Sequence, residues 1–384
     1  MEDALQRAQE LLSIYEGELR EELPEYADIY DAHVHLGDDI DGMAGRFDEL
    51  MRGMDRYGVS RSFMFCLDEP DRHPSFRAPN DRTLEHAGAS GGRLIPFVRL
   101  DLNESPLEEA ERCLALGARG IKLHPRAQRI SLEDARLTPV FELAAERDVP
   151  ILIHGGRGLP PIAAHLEALV RRCGGVQLIV AHAGIADMAN LTARFAGYPG
   201  VYFDTSTWSP VDLLDFYRQM PPEQIVYASD YPYGRQPTSL LMALRTARLA
   251  GFDADEVRGM LADNATRIAD GEAPPEPSRP KGGDIFSQPT IFARIHQYLS
   301  MATPMMWTRQ PDTIGVLGLA LNTCEGPSDG YREQTEQIRE LILAAQVLYD
   351  EALQLEDESE RLRVGRYAFR LVHLADILAV TGHA

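Results

Sequence analysis

The chain has 384 residues, of which 44% are hydrophobic and 25% charged. These proportions suit a globular protein with one barrel-sized domain and a smaller one. The formal net charge of −21 argues against nucleic acid or an anionic membrane surface as a partner, but not against a small anionic substrate. The four cysteines lack CxxC spacing. The N-terminus has no apolar region of the kind found in secretory signals, and every apolar run is much shorter than the about 20 residues that cross a membrane. We therefore expect a cytoplasmic protein with reduced thiols that acts on a small molecule.

Short segments rich in apolar or β-branched residues alternate with amphipathic, helix-like stretches over the first 270 residues. The strand-like segments are 29–35, 60–67, 94–100, 118–124, 150–154, 176–182, 200–205 and 224–230. The helix-like stretches include 106–116, 139–147, 161–173 and 238–250. This alternation predicts parallel βα units, and eight of them in about 240 residues match an α/β fold of the (β/α)8 TIM-barrel type. A doubly wound open sheet is the alternative, but no glycine-rich phosphate loop follows the first strand.

The composition changes at residues 271–284, where proline and glycine are frequent, as in linkers. Beyond them, apolar residues recur at three- and four-residue intervals, which predicts long helices at 331–356 and 358–380. The predicted divisions are an N-terminal helix (1–27), a metal-dependent barrel (28–272), a linker (273–286) and a helical C-terminal region (287–384). The C-terminal helices could dimerise the chain, cover the barrel or bind a partner, and we expect a homo-oligomer, a dimer.

Two histidines separated by one residue end the first predicted strand, in the sequence Asp31-Ala-His33-Val-His35. Because alternate residues of a strand point to the same face, His33 and His35 could bind one divalent ion together. Alone, this pair is a modest signal, since histidine is also a frequent core or surface residue.

The ends of the later predicted strands carry further ionisable residues, and the active sites of parallel barrels lie where these ends meet. The residues at the ends are Lys122, His124, His154, His182, Asp204 and Asp230. Imidazole and carboxylate ligands favour Zn²⁺, Fe²⁺, Mn²⁺ or Co²⁺ over Mg²⁺ or Ca²⁺, and we expect one Zn²⁺ ion. His182 could bind a second metal or act as an acid, base or electrophile. Asp204 could anchor a loop or a histidine N–H, or contact the substrate.

Several motifs occur in the order of a known family. They are DAHVH (31–35), GIKLHP (120–125), PILIHGG (150–156), LIVAHAG (178–184), YASDYPYG (227–234) and NATRI (264–268). Over about residues 28–270 the chain resembles the amidohydrolase superfamily, in particular its amidohydrolase-related branch. That branch includes TIM-barrel metal-dependent hydrolases and aminocarboxymuconate-semialdehyde decarboxylase-like enzymes. Decarboxylase-like members usually have a proline soon after the HxH pair; here Leu36-Gly37-Asp38 follows, which favours hydrolysis.

The resemblance implies a catalytic metal and roles for the residues around it. The residues that would hold this metal are His33, His35, His154 and Asp230. His182 would orient water or substrate, and Asp230 would also carry a proton from the attacking water to the leaving group. Lys122 stands where some members have a carboxylated lysine that bridges two metals, so a second ion is expected only if Lys122 is carboxylated. As an ammonium, Lys122 could bind substrate, and His124 is a further candidate for metal or substrate.

Candidate substrate-binding residues lie on the predicted loops at the barrel mouth, namely Arg126, Arg157 and Trp208. Arginine can bind a carboxylate in bidentate fashion, so we expect a small polar or carboxylated substrate. We predict a hydrolase in which metal-bound hydroxide attacks an amide, lactone or ester carbonyl. The alternatives are a metal-dependent nonoxidative decarboxylase of a small unsaturated or aromatic acid, and a non-catalytic binding protein on the same fold.

Overall fold

Parallel strands form a ring in which the order in space follows the order in the chain. The computed structural model describes the chain except residues 25–26, 284–285, 328–329 and 383–384, so parts of the predicted N-terminal segment and linker lie outside the described residues. The strands of the ring are β1 (Ile29–Asp38), β3 (Val59–Cys66), β4 (Leu94–Arg99), β5 (Gly120–Leu123), β6 (Ile151–Ile153), β7 (Leu178–Val180), β8 (Val201–Asp204) and β9 (Ile225–Val226). A short strand, β2 (Ala44–Gly45), pairs antiparallel with the end of β1.

The ring closes between its first and last strands. Ala32 N donates a hydrogen bond to Tyr227 O at 2.8 Å, and Val34 forms a parallel bridge with Tyr231. The prediction of a (β/α)8 barrel is therefore confirmed. The β2 hairpin is an addition that the sequence pattern does not indicate.

Inward-facing side chains fill the ring and, at the carboxyl ends of the strands, line its mouth. In β4 the core residue Phe97 is followed two positions later by Arg99, and in β8 Tyr202 is followed by Asp204. Because strand side chains alternate between faces, the last inward position of each strand lies at the mouth. The core and the site therefore share one face of each strand.

A register shift in β1 brings the HxH pair to this inner face. Three steps along β1, from Asp31 to Val34, oppose two steps along β3, so β1 has one extra residue. Ala32 packs in the core before the shift, whereas His35 pairs after it with the core residue Phe65. The extra residue reverses the alternation, as β-bulges do, and both histidines point into the ring.

Helices follow the strands around the barrel. They are α2 (Phe47–Tyr57), α3 (Arg77–Ala89), α4 (Pro106–Ala115), α5 (Pro125–Gln128), α6 (Leu137–Glu146), α7 (Ala163–Arg172), α8 (Met188–Phe195), α9 (Pro210–Gln219), α10 (Gln236–Leu249), α11 (Ala254–Arg258) and α12 (Asn264–Asp270). Short 3-10 helices span His182–Gly184 and Pro222–Gln224, and a π-helix spans Gly259–Asp263. Pro106 and Pro125 lie in the first turns of α4 and α5, where the missing N–H costs nothing.

A second unit is helical. It comprises Met1–Leu23, Trp208–Val211 and the described residues from Gly283 onwards. Its helices are α1 (Glu2–Glu22), α13 (Thr290–Trp307), α14 (Thr313–Cys324), α15 (Arg332–Gln354) and α16 (Glu358–Thr381). α15 packs along α16, and α13 packs on both α14 and α16. The prediction of a helical C-terminal region is confirmed. Across the described residues, no helix combines the length and apolar character that a bilayer crossing requires.

Candidate metal centre and active site

The imidazoles of His33 and His35 meet the carboxylate of Asp230 at the mouth of the ring. The two Nε2 atoms lie 3.1 Å apart, and Asp230 Oδ1 lies 3.3 Å from His33 Nε2 and 3.2 Å from His35 Nε2. All three residues are buried. Imidazole and carboxylate donors this close together could hold a divalent metal ion. The structure therefore brings together three of the four ligands that the resemblance implies.

The loop after β9 turns sharply to present Asp230. Asp230 has a φ of 56°, and Gly234 N donates to its carbonyl oxygen at 2.9 Å. A Cβ atom on Gly234 would collide with Ser229 O, so the turn requires glycine. Ser229 donates from its backbone N (2.8 Å) and from Oγ (2.6 Å) to the carboxylate of Asp31. The first residue of the DAHVH motif thus anchors the loop that carries the acid.

Asp204 orients the ring of His33. Its Oδ2 accepts a hydrogen bond from His33 Nδ1 at 2.7 Å, while its Oδ1 accepts from His182 N (2.8 Å) and Ser206 Oγ (2.6 Å). Burial, together with the charge of Lys122, lowers the pKa of His33 to about 3, so the ring is neutral at pH 7. Since Nδ1 carries the proton, His33 Nε2 keeps its lone pair for a metal. Of the two roles considered for Asp204, the geometry favours the anchoring of a histidine N–H.

Three further histidines continue the cluster. His182 Nδ1 lies 3.1 Å from Ser206 O, and its Nε2 lies 3.0 Å from His154 Nδ1. Because Ser206 Oγ already donates to Asp204, His182 Nδ1 must be the donor towards Ser206. His182 Nε2 then accepts from His154 Nδ1, which leaves a lone pair on His154 Nε2. Among the described residues this buried nitrogen has no hydrogen-bond partner, while the ring of His124 stacks on His154 at 3.9 Å.

Burial shifts the pKa values of Asp230 and Lys122, the two ionisable groups beside the histidines. It raises the pKa of Asp230 well above its usual range, against the opposing charge of Lys122. It also lowers the pKa of Lys122 to about 7, although Asp204 and Asp230 act in the opposite direction. Lys122 Nζ lies 3.4 Å from His33 Nε2 and 4.5 Å from the ring centre of Phe65. Lys122 therefore has a large neutral fraction at pH 7.

Comparison with known families agrees with this geometry. The amidohydrolase family model matches residues 30–268, which is more than half of the chain. The chain belongs to the amidohydrolase family. The resemblance stated from the motifs is thus confirmed. Members of this family are enzymes that generally use a divalent metal ion, so the chain belongs to a family of enzymes.

Solved structures share the fold of this family member. A candidate 2-pyrone-4,6-dicarboxylic acid hydrolase from Pseudomonas putida is 19% identical, with a TM-score of 0.50 over 65% of this chain and 99% of that chain. A candidate amidohydrolase from Staphylococcus aureus is 17% identical, with a TM-score of 0.50 over 64% of this chain and 99% of that chain. At this level of identity the likeness shows the fold alone. Among curated proteins no sequence matches the chain.

The predicted substrate-binding residues lie in two different places. Arg126 and Arg157 are exposed, on the segments that follow β5 and β6, and form no ion pair within the described part of the chain. Arg126 lies close to Gly158, since a Cβ atom there would come within 3.2 Å of Arg126 Cδ. Trp208 groups with the helical unit, where its ring packs on Trp307 and Phe369 at 5.2 Å each.

Two residues that matter here escaped the sequence analysis. Ser206 supports both Asp204 and His182, and the Asp-x-Ser spacing after β8 is the only local signal for it. Arg99 is buried at the mouth, and the alternation of Ile95, Phe97 and Arg99 along β4 could have indicated its inward direction.

Proposed function

We propose that the chain is a metal-dependent hydrolase that cleaves an amide, lactone or ester bond of a small polar or carboxylated molecule. The observation that supports this most directly is the group formed by His33, His35 and Asp230, whose ligand atoms lie within 4.8 Å of one another. A bound divalent cation such as Zn²⁺ supplies Lewis acidity and lowers the pKa of a coordinated water to about 7.

The donor set fits such a cation. Asp204 keeps a lone pair free on His33 Nε2, which belongs to the group, and His182 keeps a lone pair free on His154 Nε2. A Cβ atom on Gly156 would lie 2.8 Å from His154 Nε2, so the glycine leaves open the space beside this nitrogen. Asp230 is a buried carboxylate next to neutral imidazoles, an arrangement that a cation stabilises. We therefore propose His154 as the fourth ligand.

The remaining steps are carried by side chains. Asp230 takes a proton from the attacking water at a carboxylate oxygen and delivers it to the leaving group. His182 has both ring nitrogens engaged, with Ser206 and His154, which favours an orienting role over direct contact with substrate. The strands and Phe65 surround Lys122 and His33 with apolar surface, which limits the access of bulk water.

A nonoxidative decarboxylase is a second candidate because of Lys122. This buried amine has a pKa of about 7, lowered by burial, so it could bind a substrate carboxylate as an ammonium and then donate a proton to carbon. Release of CO₂ would identify this reaction, whereas incorporation of water into product identifies hydrolysis.

The test uses the full chain after reconstitution with Zn²⁺, Mn²⁺, Fe²⁺ or Co²⁺. Metal content is measured first, and then a panel of small lactones, esters and amides that carry a carboxylate is assayed. We expect Asp230→Asn to lower kcat by about 100-fold or more, because the proton shuttle is lost. Asp255→Asn, an exposed acid on α11, is the matched control and should leave kcat unchanged. Substoichiometric metal after reconstitution, or an unchanged kcat in Asp230→Asn, would refute the proposal.

A further inference from the structure

Arg99 brings a buried positive charge to the barrel mouth. It is the last residue of β4, on the inward face that also carries Phe97, and only 2% of its surface is exposed. In the parallel register of β4 and β5 it is the partner of Lys122, so the two side chains share one face. Lys122 Nζ in turn lies 3.4 Å from His33 Nε2, so Arg99 is the strand neighbour of a residue of the site.

Two nitrogens of the Arg99 guanidinium are unsatisfied in the part of the chain that the structure describes. Within the described residues its buried Nε and Nη2 have no hydrogen-bond partner. Asp68 Oδ1 lies 3.8 Å from Nη2, beyond hydrogen-bonding distance, and is closer to Arg72 Nε at 3.2 Å. On one side the guanidinium carbon lies over the ring of Phe76, 4.6 Å from its centre. Buried donors without acceptors are costly, so this arrangement is suited to a ligand that accepts from both nitrogens.

The backbone of Arg99 is held in place by one side chain. Asn80 donates from Nδ2 to Arg99 O at 2.9 Å and accepts at Oδ1 from Arg99 N at 3.0 Å. Asn80 is fully buried and also donates to Glu109. A fixed backbone and a stacked guanidinium mean that little conformational entropy is lost when a ligand binds.

We propose that Arg99 binds a carboxylate of the substrate and so selects carboxylated molecules; this inference rests on the hydrolase proposed above. The planar pair of N–H donors matches the two oxygens of a carboxylate. A carboxylate group, with one negative charge shared by two coplanar oxygens, suits this guanidinium better than a doubly charged phosphate group, because Asp68 Oδ1 already lies 3.8 Å from Arg99 Nη2.

Calorimetric titration of the full chain with malonate, malonamide and inorganic phosphate tests the proposal. We expect malonate to bind and its neutral analogue malonamide not to bind. Arg99→Met should weaken malonate binding by about 10- to 100-fold, the loss of a hydrogen-bonded charge contact, and Arg99→Lys should recover part of it. Arg171→Met removes an exposed arginine on α7 that pairs with Glu167 and should bind malonate like the wild type.

Several outcomes would overturn the proposal. The first two are an absence of binding heat when malonate is added to the wild type, and an Arg99→Met variant that binds malonate as tightly as the wild type. The other two are a wild type that binds phosphate more tightly than malonate, and an Arg171→Met variant that loses as much malonate affinity as Arg99→Met. Metal content of Arg99→Met is measured in parallel and should equal that of the wild type. If metal is absent but malonate binding still depends on Arg99, the hydrolase proposal fails and the carboxylate site stands. If the metal is present and malonate binds Arg99→Met as tightly as the wild type, the carboxylate site fails and the hydrolase proposal stands.

Discussion

Replacement of Asp204 by asparagine should weaken metal binding without touching a ligand. Asp204 Oδ1 accepts from His182 N and Ser206 Oγ, and the asparagine oxygen should keep that position. The new amide nitrogen would then face His33 Nδ1, where Asp204 Oδ2 now accepts at 2.7 Å. Two donors cannot share this contact, so His33 must move its proton to Nε2. That nitrogen faces His35 and would lose the lone pair that a metal needs.

The size of the effect follows from the role of the lost contact. Replacing a hydrogen-bond partner behind a metal-ligating histidine typically costs 10- to 100-fold in metal affinity, or about 1.4 to 2.7 kcal/mol. We expect the upper part of this range, because the contact is buried and the substitution reverses the tautomer of His33 rather than only loosening it.

Competition with a chromogenic chelator measures the Zn²⁺ affinity of the full-chain protein, and circular dichroism confirms that the variant folds. Asp187→Asn is the matched control, since Asp187 also accepts two backbone N–H groups, from Ile162 and Ala163 at 2.9 Å each. This control should keep the wild-type affinity. A folded Asp204→Asn protein with unchanged Zn²⁺ affinity would refute the orientation argument, as would an equal loss in Asp187→Asn.

Two further predictions concern stability. Burial lowers the pKa of Lys122 from 10.5 to about 7, so the penalty for its buried charge is fully present below pH 7 and is relieved as the pH rises towards 10.5. Lys122→Met should therefore stabilise the chelator-treated protein most at low pH. The difference in free energy of unfolding between the variant and the wild type should shrink above pH 7 by up to about 1.4 kcal/mol per pH unit. If urea unfolding shows the same difference at every pH, the reasoning is wrong. Trp208→Ala should lower the free energy of unfolding by about 1 kcal/mol or more, because the ring packs on Trp307 and Phe369. Trp208→Phe should keep most of the wild-type stability. Unchanged stability of Trp208→Ala with a raised KM would instead favour a contact between Trp208 and substrate.

The barrel and the meeting of His33, His35 and Asp230 at its mouth were predictable because they follow from local patterns. Strand and helix periodicity is visible in short windows, and parallel strands place their carboxyl ends at one mouth wherever such a barrel forms. His33, His35 and Asp230 could therefore be expected to meet, although they are far apart in the chain, and the structure brings them together. The family, too, is carried by short motifs that need no tertiary information.

The amino-acid order by itself determined the fold class, the family and the principal donor atoms of this protein. Tertiary structure alone decided the shift in β1 that turns the histidines inward and the pairing of Asp204 with His33 across 171 positions. It also decided that Arg99 Nε and Nη2 are buried without acceptors among the described residues. It also decided that Trp208 packs with aromatic residues of the helical unit. The reason is physical: strand register, histidine tautomers and desolvation depend on which distant atoms become neighbours, and no local pattern of residues encodes those neighbours.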